Sequence, residues 1–574
     1  MSTINTIIAI TLAALLLLFT GNTEAESLTV GVNGHIRQRL EIADTSTGDV
    51  LGKKPMFSSK LLPDYYRKRE FQPAWSMGNR ISPRVELFVG MLKNAGCEGL
   101  RPQDYRLDQI QSLMNALRTN SIRMDDTLDS STLADLDILL TDAYILYASH
   151  IANGRVDHQR FYPGWVIFRN TPDLTVNLQN ALDSGDIEEL LEDLSPRYPG
   201  YAKLQNMLIK YQNIAARGGW PMIPAGSKMQ RGSRNRRVAT LRQRLIDSED
   251  LTPTQGSYTH VYDYVLEEAV RKFQKRHALK ADGSVGRSTL AALNVPIEKR
   301  IRQIALNMDR MRWISDDAWQ RYIFVNIADY ELQVIEYEQV VLSMKIIVGK
   351  TEQRSCVLSG KMTYLELNPD WRIPDSIATK EILPQLKKKP EYLTQKQIRV
   401  FPGDWGNRTK EIDPATVDWS RVKADHFRYK FRQDPGPSNP LGRIKFIFPN
   451  ECEIYLHDTP TRNLFGRTRR AYSHGCIRIE KPLDLAVYLL ESNNSWTRKK
   501  IMAEIRKAKR QVVMLPSPID VHIFYGTAWV DQEGNLQFRD DLYRIDEIPY
   551  DVAACNNNHI EAGYKIDISG VDAH

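Results

Sequence analysis

Hydrophobic periodicity changes along this 574-residue chain, and that change constrains its fold more than any other feature. From about Leu62 to Tyr211 apolar residues recur at helical spacing, as in "LADLDILLTDAYILYASHIANG". From residue 317 to residue 530 they alternate or run continuously between turn signals, as in "YIFVNIADYELQVIE". The sequence therefore predicts a multidomain α+β protein in which a helical part precedes a mainly-β part.

A compact unit is predicted between these two parts, at residues 238–296. Its segments "VLEEAVRKFQKRHAL" and "RSTLAALN" have helical spacing, and the Gly-rich "ADGSVG" between them indicates a turn. The preceding residues 221–238, with five basic side chains, are predicted to be a linker, whose arginines are either solvated or contact an anionic partner.

The β pattern is interrupted between Trp371 and Pro440 by a charged segment that is too long for a turn. We interpret about residues 373–438 as an insertion, either a capping subdomain over a site or an inert surface excursion. Helical spacing returns in "KPLDLAVYLLES", and "VHIFYGTAWVDQEGNLQFRDD" predicts a last hairpin.

The N-terminus carries the membrane-like segment of the sequence, an apolar run from Ile7 to Phe19. Its length suits a secretory signal better than a membrane span, although the first six residues lack Lys and Arg. Residues 1–25 are predicted to be a signal peptide cleaved after Ala25, or an uncleaved anchor; in both cases the rest is exported. The net charge of +7 is spread along the chain, so no nucleic-acid partner is implied and membrane contact is expected only through the N-terminal segment.

The number of cysteines is odd, so at least one thiol is free. No CxxC pair occurs, and a structural zinc knuckle is therefore not supported. A lone thiol in an oxidising compartment is at risk of oxidation, and its retention calls for a chemical reason. The sequence leaves the pairing of the others open; the five are Cys97, Cys356, Cys452, Cys476 and Cys555.

The stretch "AYSHGCIRIEKP", residues 471–482, supplies such a reason for Cys476. A cysteine nucleophile needs a nearby base, and the candidates are His474 and His457, which ends "CEIYLH". Gly475 would let backbone N–H groups approach a developing oxyanion. Arg478 would share a face with Cys476 if the strand continues, and could bind a carboxylate or stabilise the thiolate. The alternative is a buried apolar cysteine beside histidines of the core.

Two sets of residues resemble known families. The order of a histidine, fifteen residues, "SHGC" and an arginine two positions further on resembles the signature of L,D-transpeptidases of the YkuD type. Segments such as "GPSNPLGRIKFIFP" and "TAWVDQEGNLQFRDD" resemble the large members of that family from Gram-negative periplasms, although "HDTP" replaces the "HGT" of shorter relatives. Residues 238–296 resemble the peptidoglycan-binding module of cell-wall enzymes through a set of shared positions: Ala269, Val270, Phe273, Gln274, Asp282, Gly283, Gly286, Thr289, Leu290 and Leu293.

These resemblances imply a small three-helix peptidoglycan-binding module and a mainly-β catalytic domain with an inserted capping subdomain. The implied domains are residues 1–25 (signal peptide or anchor), 26–237 (helical scaffold domain), 238–296 (peptidoglycan-binding module), 297–316 (helical connector), 317–540 (L,D-transpeptidase catalytic domain, insertion about 373–438) and 541–574 (C-terminal tail). The implied location is the periplasm of a Gram-negative bacterium, with peptidoglycan stem peptides and glycan strands as partners, and other wall-synthesis proteins as further ones.

The implied chemistry is cysteine-dependent acyl transfer without a metal or cofactor. By resemblance, Cys476 attacks the carbonyl at the L-centre of meso-diaminopimelate in a tetrapeptide stem, D-alanine leaves, and a second stem's amine completes a 3-3 cross-link. His457 takes the thiol proton while the backbone carbonyl of Asp458 orients its ring, and carbapenems are expected to acylate the same thiol. The other implied catalytic residues are His474 and Gly475, whose backbone would hold the oxyanion. The implied substrate-binding residues are Ser473, Arg478 and Tyr455.

Two other functions are kept as alternatives. One is a zinc-dependent wall hydrolase with His457, His474 and Cys476 as ligands, although zinc spacings such as HExxH do not occur. The other is a non-catalytic peptidoglycan-binding scaffold with a vestigial cysteine. Within the enzyme hypothesis, the sequence leaves open whether the acceptor is a stem amine, a free D-amino acid, a lipoprotein lysine or water.

Overall fold

The computed structural model describes most of the chain. The described residues are 31–43, 51, 56–78, 80–121, 129–156, 172–253, 260–314, 320–403, 410–491 and 495–550. The predicted signal or anchor and most of the predicted tail lie outside them. Among the described residues, no helix combines the length and the apolar character needed to cross a bilayer.

The chain divides into two compact units, the first comprising residues 1–93, 102–149 and 173–192 and the second the rest. Helices dominate the first unit, in agreement with the spacing of its apolar residues. Buried Asp137 organises its core, accepting hydrogen bonds from the hydroxyl of Tyr66 (2.6 Å) and the amide of Trp75 (2.7 Å). The α-helices and the hairpin that the structure describes in this unit, or that begin in it, are α1 (Val32–Ala43), α2 (Leu62–Lys68), β1 (Ser76–Met77), β2 (Arg80–Ile81), α3 (Pro83–Lys93), α4 (Leu107–Ser121), α5 (Ser130–Asn153), α6 (Leu174–Ser184) and α7 (Ile187–Glu192).

The second unit begins with helices that lead to the sheet. Three of them, α9, α10 and α11, form the compact unit expected at residues 238–296, with a core of its own that includes Leu241, Phe273 and Leu293. The long helix α12 follows as the predicted connector and packs with α8 into the core of the β-domain. Their bounds are α8 (Pro199–Ala216), α9 (Arg236–Asp247), α10 (Tyr264–Arg276), α11 (Arg287–Leu293) and α12 (Ile297–Met311).

A nine-stranded sheet forms the β-domain, in the order β12-β5-β13-β11-β10-β6-β14-β3-β4. Strand β4 also pairs with β5, so strands β5, β13, β11, β10, β6, β14, β3 and β4 form a closed ring, to which the short β12 is added beside β5. Its strands are β3 (Arg321–Asn326), β4 (Glu331–Glu336), β5 (Gln339–Gly349), β6 (Leu358–Leu367), β10 (Ile444–Ile447), β11 (Leu456–His457), β12 (Ala471–Ser473), β13 (Ile477–Ile479) and β14 (Gln511–Phe524). Helices α16 (Pro482–Leu490) and α17 (Arg498–Arg506) and the hairpin of β15 (Ala528–Val530) and β16 (Leu536–Phe538) follow β13 and β14.

The predicted insertion leaves the sheet after β6 and forms a small subdomain. Its three strands pair in the order β7-β9-β8, and their residues surround a separate core that includes Leu386, Val400 and Phe431. Its elements are β7 (Trp371–Ile373), α13 (Asp375–Ile377), a π-helical turn (Ala378–Ile382), α14 (Leu383–Lys388), α15 (Tyr392–Gln395), β8 (Ile398–Pro402) and β9 (Tyr429–Gln433). The segment therefore has a sheet and a core of its own, and whether it caps a site or is an inert surface excursion stays a prediction.

The cysteines resolve into two kinds among the described residues. Cys356 and Cys452 form a disulfide, Cys97 is disulfide-bonded, and Cys476 is free. Cys555 lies outside the described residues. Among the four described cysteines, the free thiol is therefore that of Cys476 in the "SHGC" motif.

Candidate active site

Strand alternation separates the core from a reactive face of the sheet. Side chains that alternate along a strand point to opposite faces, and apolar side chains occupy the core side of β10, β11 and β13. Those core residues are Ile444, Phe446, Leu456, Ile477 and Ile479. The side chains between them, on the opposite face, are Lys445, Tyr455, His457, Cys476 and Arg478.

The strand register brings the predicted site residues together. His457 pairs with Arg478 across the parallel strands β11 and β13, and with Lys445 across the antiparallel strands β10 and β11. The amide of Ile477 donates to the carbonyl of Tyr455 (3.2 Å), which sets Cys476 beside Tyr455. His457 and Cys476 therefore lie on one face of neighbouring strands, at diagonal positions.

His457 is buried and oriented by the backbone. Its Nδ1–H donates to the carbonyl oxygen of Asp458 at 2.6 Å, which leaves Nε2 as a proton acceptor. Burial lowers the pKa of His457 to about 3, and the charges of Arg478 and Lys445 act in the same direction. The imidazole is therefore neutral at neutral pH, as a general base must be.

A glycine fixes the loop that holds the Asp458 carbonyl. Gly442 has a φ of +64°, and a Cβ there would collide with the side chain of Asp458. The Oδ2 atom of Asp458 accepts the amide of Arg443 at 2.9 Å, and Oδ1 lies 3.3 Å from Nη1 of Arg462. Both carboxylate oxygens of Asp458 are thus bound, and these contacts hold in place the residue whose backbone carbonyl orients His457.

The Cys476 thiol sits in a partly buried environment with opposing influences. Burial raises the pKa of the thiol, whereas hydrogen bonds from Tyr455 and the charges of Lys445 and Arg478 lower it. Burial also raises the pKa of the Tyr455 hydroxyl well above its usual range, so that group is a proton donor rather than an anion. The net effect is a raised pKa of the Cys476 thiol, so the thiol form is favoured in the free protein.

The turn before Cys476 is held by a hydrogen bond from Ser355. Gly475 has a φ of +119°, which strains any other residue, and its carbonyl accepts the hydroxyl of Ser355 at 2.6 Å. The Gly475 N–H donates to the buried Ser473 Oγ at 3.2 Å, so the predicted oxyanion role requires that this long bond be given up. Ser355 precedes Cys356, whose disulfide partner Cys452 lies just before β11.

His474 lies toward the insertion. Its Nε2 hydrogen-bonds to Oε1 of Glu381, in the π-helical turn of that subdomain. His474 is thus in contact with the inserted segment, and the structure shows no bond from it to Cys476 among the described residues. This contact is the observed link between the insertion and the site.

Two residues at the site were absent from the sequence-based set. Lys445 could have been placed on the reactive face from the alternation in "RIKFIF", but its strand partner follows only from the register. Glu381 carries no signal in the sequence, because its contact joins segments 93 residues apart. Within the described residues, no three His, Cys, Asp or Glu side chains cluster in a way that could hold a metal ion, so the zinc alternative gains no support.

The fold and the site define a multidomain α+β protein with a mainly-β domain that presents a thiol and a carbonyl-oriented imidazole on one face. Residues 320–505 match the L,D-transpeptidase catalytic domain family (YkuD). Residues 234–293 match the family described as "Putative peptidoglycan binding domain", and residues 60–208 match the scaffold domain family. The chain therefore carries a YkuD L,D-transpeptidase catalytic domain together with a peptidoglycan-binding domain and a helical scaffold, which confirms the predicted fold class.

A curated relative agrees with this assignment. The protein named "Putative L,D-transpeptidase" from Haemophilus influenzae (strain ATCC 51907 / DSM 11121 / KW20 / Rd) is 34% identical over 275 residues, which are 47% of this chain and 54% of the relative. The chain thus spans about half the length of the curated relative it matches.

Two solved structures are also similar to this chain, both at low TM-scores. The crystal structure of the L,D-transpeptidase (residues 123–326) from Xylanimonas cellulosilytica DSM 15894 is 16% identical, covers 52% of this chain and 99% of its own, and has a TM-score of 0.18. A fused Zn-dependent amidase/peptidase/peptidoglycan-binding domain-containing protein from Clostridium acetobutylicum ATCC 824 is 10% identical, covers 52% and 100%, and has a TM-score of 0.13. Scores this low carry no inference about this chain.

Proposed function

We propose that this protein is an exported L,D-transpeptidase that forms 3-3 cross-links in peptidoglycan through a cysteine acyl-enzyme. The observation that carries the proposal is the shared sheet face of Cys476 and His457, with the His457 ring fixed by the Asp458 carbonyl at 2.6 Å. A thiol, a neutral imidazole and a group that orients it are the parts that nucleophilic acyl transfer requires. The peptidoglycan-binding domain supports peptidoglycan as the substrate.

The first half-reaction releases D-alanine. Nε2 of His457 takes the proton of Cys476, the sulfur attacks the carbonyl carbon at the L-centre of meso-diaminopimelate, and a thioester forms. The C–N bond to the terminal D-alanine breaks, and the imidazolium returns its proton to the leaving amine. Tyr455, whose hydroxyl interacts with the sulfur, and Arg478 limit the cost of the transient negative charge.

The second half-reaction forms the cross-link. The side-chain amine of a neighbouring stem's diaminopimelate attacks the thioester carbonyl and loses a proton to His457. The C–S bond breaks, the new amide joins the two stems, and the thiolate recovers the proton. The same thiol is expected to attack the β-lactam carbonyl of a carbapenem, whose ring C–N bond breaks to leave a thioester. In the proposed periplasmic location the enzyme would lie next to its polymer.

Product analysis with purified disaccharide-tetrapeptides tests this function. We expect mass spectrometry to show dimers that have lost one D-alanine per cross-link, and a thioester adduct on the peptide containing Cys476. We expect Cys476→Ala to abolish the dimers and the thioester adduct. His457→Gln is compared with it, since each substitution removes one partner of the proposed proton transfer. Dimers formed by Cys476→Ala would contradict the proposal, and sacculus binding without D-alanine release by the wild type would favour the non-catalytic scaffold.

A further inference from the structure

Lys445 is an ammonium group on the reactive face to which the proposed chemistry gives no role. On β10 it pairs with His457 on one side and with Glu366 of β6 on the other. Its Nζ lies 3.8 Å from the ring centroid of Tyr455, the residue whose hydroxyl interacts with Cys476. Lys445 is therefore part of the site by position.

Among the described residues the Lys445 ammonium forms no ion pair within 4.0 Å, although the carboxylates of Glu366 and Asp370 act on it from further away. Glu366, which pairs with Lys445 across strands β6 and β10, forms an ion pair with Arg510 instead. The Glu366 side chain is only 7% exposed. Burial lowers the pKa of Lys445, which measures the cost of keeping this charge away from water. The contact with the Tyr455 ring offsets part of that cost and leaves the N–H donors available to an acceptor.

A second cation on the same face also lacks a carboxylate partner among the described residues. Nη1 of Arg478 donates to the neutral Thr461 Oγ1 at 3.2 Å, and Nε is buried with no acceptor. Because His457 pairs with Lys445 on one side and Arg478 on the other, the two cations flank the imidazole. A buried or partly buried cation without an anion is costly unless an anion arrives with the substrate.

We propose that Lys445 and Arg478 together form a carboxylate-binding site for the donor stem peptide, with Lys445 as a previously unassigned substrate-binding residue. The proposal rests on the proposed function for the identity of the donor. Charge-assisted hydrogen bonds from an ammonium and a guanidinium are the strong contacts that proteins use for carboxylates. The carboxylate of the terminal D-alanine is the group concerned, because it lies next to the bond that Cys476 attacks.

A bound carboxylate also changes the base. The charges of Lys445 and Arg478 help to hold the pKa of His457 low, and a negative charge between them offsets both. The imidazole then becomes a stronger base when the donor is bound than in the free protein. The site thereby couples substrate recognition to activation of the thiol.

Protection of Cys476 from alkylation tests the carboxylate site without any turnover. The full-length protein is treated with iodoacetamide in the presence of N-acetyl-D-alanine or of its amide, and modification of the Cys476 peptide is followed by mass spectrometry. The readout is the ratio of the rates without and with the probe, which cancels any effect of a substitution on the thiol itself. We expect the acid, and not the amide, to slow alkylation several-fold in the wild type.

Substitutions assign this effect to Lys445. Lys445→Met and Lys445→Gln should lose the protection, Lys445→Arg should keep it, and Lys361→Met serves as a control because Lys361 pairs with Asp520 on the same domain. Circular dichroism checks that each variant is folded. Equal protection by acid and amide, no protection of the wild type, or full protection of folded Lys445→Met would overturn the proposal.

Kinetics with the tetrapeptide donor give the second arm. Loss of a charge-assisted hydrogen bond is expected to raise KM by about 10- to 100-fold in Lys445→Met. A fall in kcat alone, with KM unchanged, would contradict the assignment. If the wild type shows the protection but turns over no tetrapeptide, the proposed function fails while the carboxylate site stands.

Discussion

At the scale of single residues, the site balances the cost of burial against a few polar contacts. Burial raises the pKa of the Cys476 thiol, and the interaction with the Tyr455 hydroxyl acts against it. The Lys445 ammonium lies over the Tyr455 ring, with Nζ 3.8 Å from the ring centroid. The tyrosine is therefore more than a lining residue, because it bears on how readily the thiol ionises.

Replacing Tyr455 with phenylalanine tests this influence. Without the hydroxyl the thiolate loses a donor, so the pKa of Cys476 rises and alkylation by iodoacetamide shifts to higher pH. Transpeptidation should fall roughly 10-fold, the value of one hydrogen bond of about 1.4 kcal/mol. Tyr472→Phe, which changes an exposed tyrosine of strand β12 in the same sheet, is the control. An unchanged alkylation profile in Tyr455→Phe would show that the hydroxyl does not act on the sulfur.

At the scale of elements, the candidate site depends on segments that come from distant parts of the sequence. The disulfide of Cys356 and Cys452 links two segments of the site. One contains Ser355, which hydrogen-bonds to Gly475, and the other leads into β11, which carries His457. The insertion has its own sheet and core and meets the site through Glu381. The site is thus assembled by crosslinks and contacts as well as by strand pairing.

The contact between Glu381 and His474 predicts that the insertion restricts access to the thiol. Both side chains are partly exposed, so the interaction stabilises the contact by no more than about 1 kcal/mol. Glu381→Ala is expected to speed alkylation of Cys476 by a bulky maleimide by at most about fivefold, the factor that corresponds to this free energy. Glu391→Ala, on the exposed surface of the same insertion, should change nothing, and equal rates in the two variants would contradict a closing role.

Sequence reasoning predicted the elements better than the contacts between them. Alternation in "CIRI" placed Cys476 and Arg478 on one face, because alternation is a local property of a strand. The register that sets Lys445 beside His457 depends on how β10, β11 and β13 pair, and no short pattern encodes that pairing. For the same reason the sequence did not reveal that Cys356 pairs with Cys452, since the two cysteines lie 96 residues apart. The signature around Cys476 was enough to predict the family. That Lys445 and Arg478 flank His457 could be seen only once the strand pairing was known.

At the scale of the whole molecule, the peptidoglycan-binding unit and the β-domain belong to one compact unit. The end of α10 forms the contact: the ring of His277 stacks on Phe273 at 3.9 Å and on Phe538 of β16 at 5.4 Å. Arg539 Nη1 donates to the carbonyl of Arg276 at 3.1 Å, and Arg276 pairs with buried Asp250. The module that matches the wall-binding family is therefore packed directly on the domain with the candidate site.

His277 makes this contact sensitive to acid. Burial, with Arg276, Arg300 and Arg244 nearby, lowers the pKa of His277 well below its ordinary value, so the folded protein binds fewer protons than the unfolded chain. The contribution of His277 to the free energy of unfolding is therefore fully present above the pKa of histidine in the unfolded chain, about 6.5. It is lost as the pH falls below that value, by up to about 2 kcal/mol at pH 5. In His277→Phe this loss is absent, while the cost of losing the hydrogen bond from Nδ1 to the Phe273 carbonyl is the same at every pH. Urea unfolding at pH 7 and pH 5 should therefore show the wild type losing stability relative to the variant, and a difference that does not change with pH would mean that the imidazole is not held neutral in this contact.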